Sequence, residues 1–540
     1  MNTQLRIVLA QLNFLVGDIE GNATKIVKVI QQARDHGVDL IVFPELALTG
    51  YPPEDLLYRP ELYQRIEQQL PSILEAAQAV DVILGCPERR ETQCFNQAIY
   101  IRSGRIQKYY DKQCLPNYQV FDEARYFQPG VMPCIIDLQG FPAALTICED
   151  LWFPEAMAQA KAAGAKLMIS INASPFAIHK SVQRENIIAE RAKEGQMPIV
   201  YVNCVGGQDE LVFDGGSFYC NAQGEIVSQA PFFEEQLFSL TLNPANFDEV
   251  FPKQRPLLSE EQRVYQALVS GVRDYVEKNR FPRAVLGLSG GIDSALTLAI
   301  AVDAIGAERV TAVFMPSIYT ASLSTTEAQA QAELLGIKYH VLPINTVFDC
   351  FLDTLNPIFA GLPPDVTEQN LQARCRGTLL MAISNKTQAL VLATGNKSEM
   401  AVGYSTLYGD MVGGFCVLKD VLKTWVYRLA DYRNRVSPAI PQAVIDRAPT
   451  AELAPGQLDQ NELPPYSILD AIITQYIEED RSLADIVQAG FDAKTVLKVI
   501  KMIDRSEYKR RQAAPGVRIT ERAFGKDRRY PITSGFLLNI

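Results

Sequence analysis

Histidines, paired cysteines and long apolar runs are scarce or absent in this sequence. Its 540 residues include three histidines, His36, His179 and His340, so a papain-like pair of cysteine and histidine has little support. The ten cysteines are scattered singly, without a CxxC pair or a regular spacing, which does not indicate a disulfide framework. No run of about 18 apolar residues occurs, so no membrane-spanning helix is predicted.

Positive charge is also in deficit. The formal net charge is −11, and an acidic chain lacks the basic surface with which nucleic-acid binders contact phosphate. The first residues do not resemble a signal peptide, because Arg6 and Gln11 interrupt the apolar stretch and no small-residue cleavage site follows. We therefore expect a cytoplasmic protein with reduced thiols and with neither a nucleic-acid nor a membrane partner.

The length and the composition predict two large domains. At 540 residues the chain exceeds one ordinary domain, and its 48% apolar and 21% charged residues are globular proportions. The segment NPANFDEVFPKQRPLLSEEQ has three prolines, mixed charges and no periodicity, which is typical of a linker. We place the boundary near residues 245–258 and assign residues 1–248 and 249–540 to the two domains.

Both predicted domains combine helices with buried strands. In the first, apolar strands such as LRIVLAQL and KLMISINAS alternate with helical segments and two glycine-turn hairpins, which indicates a layered α/β or α+β domain with a mixed sheet. In the second, strands such as AVLGLS and VTAVFMP alternate regularly with helices, which predicts a doubly wound parallel sheet. Residues 441–466 are rich in proline and acidic side chains and favour a long surface or lid loop.

Three polar residues in the first domain each follow apolar strand residues. They are Glu45 in VFPELALTGY, Lys112 in YYDKQCLPNY and Cys148 in LTICEDLWFP, and we expect them to converge at one edge of the sheet. A glutamate can take the proton of a thiol and later donate it to a leaving amine. A lysine lowers the pKa of a nearby thiol and stabilises the oxyanion formed on an attacked carbonyl. Each residue alone favours a structural explanation, so the chemistry rests on the combination.

These strings resemble the carbon–nitrogen hydrolase (nitrilase) family over about residues 4–245. The resemblance implies an αββα sandwich and amide hydrolysis through a thioester, with Glu45, Lys112 and Cys148 on the positions of the catalytic triad. It also implies that Glu123 helps to orient the lysine. Glutamine-specific members bind glutamine at the positions of Tyr118, Ser174 and Lys180, although Ser174 also suits a simple turn and Lys180 a solvated charge.

The string AVLGLSGGIDSAL predicts a phosphate-binding loop between a strand and a helix. Glycines allow the backbone to approach phosphate oxygens, and the helix N-terminus adds free N–H groups. Asp293 can hold Mg²⁺, a hard cation that prefers carboxylate and phosphate oxygens. No GxxxxGK[ST] string occurs, so a Walker loop is absent. The predicted ATP-binding residues of this loop are Gly287, Leu288, Ser289, Gly290, Gly291, Ile292, Asp293 and Ser294.

The loop resembles that of the ATP pyrophosphatases, which cleave between the α and β phosphates and adenylate their substrate. Further strings, among them VLATGNKSEMAVGY and LYGDMVGGFCVLKDVLKT, extend the resemblance to the family of glutamine-dependent NAD synthetases over essentially the whole chain. It implies a Rossmann-like second domain of the adenine nucleotide α-hydrolase type. The implied contacts are Thr394 and Lys423 with ATP, Asp293 and Glu399 with metal, and Asn370, Glu399, Asp410 and Lys509 with deamido-NAD. Taken alone, each of these residues also fits a helix cap or an exposed charge.

By this resemblance the chain is a ligase that amidates deamido-NAD with ammonia from L-glutamine, using ATP and Mg²⁺. Such two-domain enzymes are homo-oligomers, and we expect the same here. Three alternatives stay open: another glutamine-fed ATP pyrophosphatase, such as a GMP- or asparagine-forming ligase, a non-catalytic scaffold that binds nucleotides, and a free-standing amidase with an appended nucleotide domain. The retention of Glu45, Lys112, Cys148 and Asp293 argues against the scaffold.

Overall fold

The alternating strand and helix segments of the sequence fold into two separate units. The computed structural model describes residues 4–244, 246–454 and 457–536. The first unit spans Met1–Leu258 and the second spans Ser259–Ile540. None of the helices in these described ranges is long and apolar enough to cross a membrane. The domain limits 1–248 and 249–540 stay a prediction.

The first unit combines two β-sheets with α-helices. Its helices are α1 (Ile19–Asp35), α2 (Pro60–Ala76), α3 (Glu155–Ala162) and α4 (Lys180–Gly195). Its strands are β1 (Leu5–Gln11), β2 (Leu40–Val42), β3 (Asp81–Arg90), β4 (Gln93–Arg102), β5 (Arg105–Asp111), β6 (Cys134–Leu138), β7 (Phe141–Ile147), β8 (Leu167–Asn172), β9 (Ile199–Asn203), β10 (Val205–Gln208), β11 (Leu211–Asp214), β12 (Phe218–Cys220), β13 (Ile226–Gln229), β14 (Gln236–Asn243) and β15 (Asn246–Phe251). One sheet has the order β15-β14-β1-β2-β3-β4-β5 and the other β13-β12-β9-β8-β7-β6, while β10 and β11 pair as a hairpin.

Apolar residues on both faces of each sheet explain why the sheets stack. Val42 and Ile83 of one sheet and Ile147 and Ile169 of the other belong to a single buried cluster, which fills the space between them. The outer face of the first sheet packs against α1 and α2, with Ile30 at this contact. Helices α3 and α4 cover the outer face of the second sheet. The predicted αββα sandwich is therefore confirmed.

The sandwich places the three predicted polar residues just beyond strand ends. Glu45 lies shortly after β2, Lys112 directly after β5, and Cys148 directly after β7. Gly85 in β3 runs beneath the segment of Glu45. A Cβ atom on Gly85 would lie only 2.4 Å from the backbone nitrogen of Leu46, so the close approach of these two segments requires glycine.

The second unit alternates strands and helices. Its strands are β16 (Arg283–Gly287), β17 (Val310–Phe314), β18 (Lys338–Val341), β19 (Ala389–Ala393) and β20 (Phe415–Cys416). Its helices are α5 (Glu260–Lys278), α6 (Ile292–Ile305), α7 (Ser322–Leu335), α8 (Asn345–Phe359), α9 (Val366–Thr387), α10 (Lys397–Val402), α11 (Lys423–Val436), α12 (Gln442–Asp446), α13 (Tyr466–Ile473), α14 (Leu483–Gln488), α15 (Ala493–Arg505) and α16 (Glu507–Arg510). The strand order is β18-β17-β16-β19-β20, and all four neighbouring pairs are parallel, which confirms the predicted doubly wound sheet.

The strand order creates a crevice at the carboxyl end of β16. The chain leaves β16 towards β17 on one side, and it returns to β19 on the other side. Such a reversal is the topological switch point at which open α/β sheets bind ligands. The glycine loop at residues 288–291 and the loop at residues 394–396 border this point, because they follow β16 and β19. The fold therefore brings two separate predicted motifs together.

The predicted lid loop at residues 441–466 is only partly a loop. It begins with α12, whose start directly follows Pro441, and it includes a short 3₁₀ turn at Asp459–Asn461. Proline fixes its own φ near the helical value without an N–H, and it therefore suits a helix start. Residues 455 and 456 of the predicted lid lie outside the described residues.

Candidate active sites

A buried lysine joins two carboxylates at the first candidate site. Lys112 Nζ donates to Glu45 Oε1 at 2.7 Å and to Glu123 Oε1 at 2.9 Å. Lys112 and Glu45 are each 1% exposed. Cys148 is also buried and interacts electrostatically with all three of these groups. The four residues predicted from the hydrolase motifs therefore form one cluster.

Two further donors converge on the carboxylate of Glu45. Asn96 Nδ2 donates to Glu45 Oε1 at 2.7 Å, and the backbone N–H of Ala173 donates to Oε2 at 2.9 Å. The carbonyl of Asn96 also accepts the backbone N–H of Lys112 at 2.8 Å. Sequence reasoning missed Asn96, because its strand QCFNQAIYIR contains other polar residues and nothing distinguishes this one from them. Asn96 therefore helps to hold both charged residues in place.

Cys148 begins a sharp turn directly after β7. Its φ is +46°, and the short 3₁₀ turn Cys148–Trp152 follows. A non-glycine residue in the left-handed region costs about 1–3 kcal/mol and persists only where its surroundings hold it. Such strained residues cluster at functional sites, which agrees with the predicted role of Cys148 as a nucleophile.

The thiol is neutral in the resting site. Burial and the neighbouring carboxylate of Glu45 raise the pKa of Cys148 well above its usual range, while Lys112 acts in the opposite direction. The effect of the lysine on the thiol thus has the predicted sign, but burial and the carboxylate outweigh it. Attack on a carbonyl therefore requires a base that takes the thiol proton, and Glu45 belongs to the same cluster.

Burial acts in opposite directions on the pKa of Lys112 and on the pKa of Glu123. Burial opposes the ammonium of Lys112, but Glu123 and Glu45 outweigh it and raise the pKa of Lys112 well above its ordinary value. Burial also raises the pKa of Glu123 to about 7, against the stabilising effect of Lys112. A hydrogen bond of 2.8 Å from the Tyr51 hydroxyl opposes this rise. The two carboxylates therefore favour the ammonium form of Lys112, while burial favours the protonated form of Glu123.

The three predicted glutamine contacts lie around the same cluster. The hydroxyl of Tyr118 donates to Glu149 Oε1 at 2.8 Å, and Glu149 directly follows the cysteine. Lys180 Nζ lies 3.9 Å from the ring centroid of Trp152, at the end of the cysteine turn. Ser174 is buried and directly follows Ala173, whose N–H donates to Glu45. Sequence reasoning missed Glu149 and Trp152, although both stand in the string that contains the cysteine.

The second candidate site is a cavity of about 290 Å³ at the switch point of the parallel sheet. Every predicted loop residue from Gly287 to Ser294 lines it. So do the predicted ATP and substrate contacts that follow β19 and begin α11, namely Thr394, Glu399, Asp410 and Lys423. Residues Arg447 to Leu453 of the lid segment also line this cavity. The structure thus unites the glycine loop with later motifs that lie 100 or more residues away.

Lys423 is buried between two carboxylates of this cavity. Its Nζ pairs with Asp293 Oδ2 and lies 3.4 Å from Glu399 Oε1. Asn396 caps α10 by accepting the N–H of Glu399 at 3.0 Å, and its Nδ2 donates to Asp293 Oδ1 at 2.9 Å. Sequence reasoning missed Asn396, although an asparagine before an apolar helix is a common N-cap. Asn396 therefore links the glycine loop to the helix that presents Glu399.

The predicted metal ligands fit a magnesium site. Burial and the nearby carboxylate of Asp293 raise the pKa of Glu399 to about 8, although Lys423 opposes the shift. A cation between these carboxylates would offset their repulsion. Mg²⁺ is usually held by one or two carboxylates together with substrate phosphates, which matches Asp293 and Glu399 beside the glycine loop. Within the described ranges, no cluster of three or more metal-binding side chains forms a cage made by protein alone.

Thr406 lines the cavity and is hydrogen-bonded to Asn370 and Asp410, two of the predicted deamido-NAD contacts. The hydroxyl of Thr406 donates to Asn370 Oδ1 at 2.9 Å, and its N–H donates to Asp410 Oδ1 at 2.6 Å. Burial raises the pKa of Asp410 to about 6. Lys509 Nζ donates to the carbonyls of Gly403 and Ser405 and interacts with the Asp410 carboxylate. The predicted deamido-NAD contacts therefore lie close to one another.

The fold and the two sites define a chain with a carbon–nitrogen hydrolase unit and a nucleotide-binding α/β unit. The model of the carbon-nitrogen hydrolase family matches residues 6–250, and the model of the NAD synthase family matches residues 264–513. The glutamine-dependent NAD(+) synthetases of Acinetobacter baylyi and Thermotoga maritima are 47% and 44% identical to this chain, with 98% and 99% of each chain covered.

A solved structure extends the likeness to three dimensions. It is the glutamine-dependent NAD+ synthetase of Acinetobacter baumannii in complex with ADP, which is 46% identical and superposes with a TM-score of 0.81 over 99% of both chains. The chain therefore belongs to the family of glutamine-dependent NAD(+) synthetases.

The buried lysine predicts a pH-dependent effect on stability. Lys112→Met leaves two buried carboxylates without their cation, which costs about 3–5 kcal/mol of unfolding free energy. The pKa of Glu123 is already raised in the folded protein and rises further in the variant. A carboxyl with a raised folded-state pKa costs stability as pH rises above its unfolded value. The loss should therefore be larger at pH 8 than at pH 5.

Urea unfolding of Lys112→Met at the two pH values measures this effect. The chain has two tryptophans, Trp152 in the first unit and Trp425 in the second, so a Trp425→Phe background reports on the first unit alone. Lys108→Met on β5 is the control, because the Lys108 side chain is exposed. An equal loss at both pH values, or an equal loss in the control, would contradict the electrostatic account.

Proposed function

We propose that this chain makes NAD from deamido-NAD, ATP and L-glutamine, as a ligase that forms a carbon–nitrogen bond. The observation that carries this proposal is the presence of two preformed sites in one chain. The first has a carboxylate and a cation in contact, with a buried thiol that interacts electrostatically with both, and the second has a glycine loop beside paired carboxylates and a lysine. The activity for which the relatives are named supports the same assignment.

In the first step Cys148 Sγ attacks the side-chain amide carbon of glutamine. Glu45 accepts the thiol proton and donates it to the departing ammonia, which leaves a glutamyl thioester. Lys112 stabilises the oxyanion of each tetrahedral intermediate, because its ammonium is buried where charges interact strongly. Glu123 holds Lys112, and water then releases glutamate and restores the thiol. Tyr118, Ser174 and Lys180 bind the glutamine around the turn of Cys148.

In the second step the nicotinate carboxylate of deamido-NAD attacks the α-phosphate of ATP. Pyrophosphate leaves, and the product is an adenylated carboxylate. The glycine loop and Ser294 hold the phosphates, and Lys423 and Thr394 contact ATP. Asp293 and Glu399 would hold Mg²⁺, which would neutralise phosphate charge. Ammonia then attacks the activated carbonyl and displaces AMP. Asn370, Asp410 and Lys509 bind the deamido-NAD.

Joining the two reactions in one chain suits the chemistry of ammonia. Near neutral pH, ammonia released to water becomes ammonium, which has no lone pair for attack. A protected transfer from the first site to the second keeps ammonia neutral and shields the adenylate from water. We propose a cytoplasmic location, where the Cys148 thiol stays reduced, and we propose no nucleic-acid or membrane partner.

We also propose that the chain forms a homo-oligomer through α8. None of the residues of this helix is buried, although Val347, Phe351 and Ile358 recur on one side of it. Ile358 is 73% exposed. A contiguous exposed apolar face of this kind is typical of an interface, and a second copy of the same chain offers the same face.

The cysteine separates the two activities. Cys148→Ala should reduce glutamine-supported NAD formation at least about 1,000-fold, because the nucleophile is lost. NAD formation with added ammonium salts should stay within about twofold of wild type, because the synthetase site lies in the other unit. Product formation with each nitrogen source measures both effects. Cys134→Ala, another buried cysteine of the first unit, is the control. Equal loss with both nitrogen sources would disprove the modular assignment.

A substitution in the glycine loop of the second unit should have the opposite effect: it should abolish NAD formation and leave glutamine hydrolysis intact. Asp293→Ala should reduce NAD formation at least about 100-fold with either nitrogen source, because Mg²⁺ and Lys423 lose a shared carboxylate. Ammonia release from glutamine alone should persist at its basal rate. Glutamate and AMP production in parallel assays measure the two activities. The control is Asp353→Ala, at an exposed position of α8. AMP formation at the wild-type rate in Asp293→Ala would refute this role of the loop.

Sedimentation of the full chain tests the oligomer. Wild type should sediment as more than one copy, and Phe351→Glu should shift the distribution to smaller species because it places a charge in the apolar face. Asp353→Lys, on the opposite side of α8, should leave the distribution unchanged. A wild-type chain that sediments as a monomer at micromolar concentration would rule out the interface.

A further inference from the structure

A buried carboxylate connects the two segments that present the lysine and the cysteine of the first site. Asp150 is fully buried in the cysteine turn, two residues after Cys148. Its Oδ2 accepts the backbone N–H of Ile147 at 3.0 Å and the hydroxyl of Tyr110 at 2.8 Å. Its Oδ1 accepts two backbone N–H groups of the lysine loop, those of Gln113 at 3.0 Å and Cys114 at 2.7 Å.

The four donors flank the two reactive residues in sequence. Tyr110 and Gln113 stand on either side of Lys112, and Ile147 directly precedes Cys148. We propose that Asp150 is a positioning residue that fixes the Lys112 loop against the Cys148 turn, and so sets the distance between ammonium and sulfur. This inference rests on the proposed hydrolysis of glutamine at the first site.

The geometry requires more than a helix cap. A cap of the short turn explains the bond from Ile147, but the other three bonds come from a segment 36 to 40 residues earlier in the chain. β5 ends at Asp111, so the sheet ladder does not extend to the N–H groups at 113 and 114. Asp150 satisfies both of these groups, and a buried N–H without a partner is costly.

Only an ionised carboxylate fits this position. It offers two oxygen atoms that accept, and all four of its partners donate. Burial raises the pKa of Asp150, while the N–H groups of Cys114 and Ile147 and the nearby ammonium of Lys112 oppose the rise. In Asp150→Asn, one oxygen becomes an amide that itself donates. If the amide nitrogen replaces Oδ1, the N–H groups of Gln113 and Cys114 both meet another donor. If it replaces Oδ2, the N–H of Ile147 meets a donor, and the Tyr110 hydroxyl must rotate to accept.

Displacement of the loop should act first on the thiol. Lys112 is the charged group that favours the thiolate of Cys148 against burial and Glu45. If Asp150 holds the two segments together, its replacement moves the ammonium away from the sulfur. The thiol then reacts more slowly at a given pH, and its reactivity shifts to higher pH. A residue that only stabilised the fold would not produce this shift in a folded variant.

The experiment compares the full-length wild type, Asp150→Asn and Tyr110→Phe. Alkylation of Cys148 by iodoacetamide is followed by mass spectrometry from pH 6 to 10, and glutamine hydrolysis and ammonium-supported NAD formation are assayed in parallel. Tyr100→Phe is the matched control, because the Tyr100 hydroxyl donates to Asp81 Oδ2 at 2.6 Å. Neither Tyr100 nor Asp81 belongs to the lysine loop or the cysteine turn.

For Asp150→Asn we expect glutamine hydrolysis about 100-fold slower, since misplacement of a catalytic group by about 1 Å costs this much. We also expect its alkylation profile to move to higher pH. Tyr110→Phe, which removes one of the four bonds, should change both readouts in the same direction by about tenfold or less. Ammonium-supported NAD formation should stay at the wild-type level in both variants, which shows that the second unit is folded.

Wild-type hydrolysis and an unchanged alkylation profile in folded Asp150→Asn would overturn the proposal. If Asp150→Asn does not fold, Tyr110→Phe tests the proposal in its place. Tyr110→Phe that behaves like the control Tyr100→Phe in every readout would then overturn the proposal. If the wild type releases no ammonia from glutamine, the proposed function fails, whereas the alkylation profiles still test the position of the lysine loop.

Discussion

The ion pairs of one buried lysine impose the main constraint on the first unit. Lys112 is 1% exposed and contacts Glu45 and Glu123. The three residues come from three separate segments of the sandwich. Removing such charges from water costs several kcal/mol for each ion, and good geometry with further hydrogen bonds must offset that cost. Asn96 and the N–H of Ala173 supply such bonds. The strand ends are therefore fixed where the chemistry needs them, and the strained backbone of Cys148 is tolerated beside them.

The second unit uses the same charge pattern in a different setting. Lys423 also lies between two carboxylates, those of Asp293 and Glu399, but these three residues line an open cavity. In the first unit the ammonium and its two carboxylates are all buried, and the proposed role of the ammonium is that of a fixed charge that stabilises an oxyanion. In the second, the two carboxylates are partly exposed, and under the proposed function they would hold Mg²⁺, which would pair with the phosphates of ATP. The pattern alone does not define a function; the exposure of the two carboxylates and the neighbouring loops distinguish the two sites.

The sequence predicted those residues that stand at the ends of strands. Glu45, Cys148 and the glycine loop follow buried strands, whereas Lys112 follows β5, whose residues before Tyr110 are exposed. The doubly wound sheet followed from the regular alternation of strand and helix. Their roles in catalysis and binding stay predictions. The partners that hold these residues were not predictable in the same way, since Asn96 lies 51 residues from its carboxylate and Asn396 lies 103 residues from Asp293.

Burial also raises the pKa of the Cys148 thiol, and the local sequence does not predict this effect. A lysine near a thiol suggested a lowered pKa, but the apolar interior of the sandwich and the carboxylate of Glu45 reverse that effect for Cys148. A neutral thiol is a poor nucleophile until a substrate lies next to it and the base takes its proton. Oxidation likewise requires a thiolate that solvent can reach, and Cys148 is buried. Under the proposed mechanism Glu45 takes the thiol proton during the attack, so the positions of both Glu45 and Lys112 relative to the sulfur control the first step.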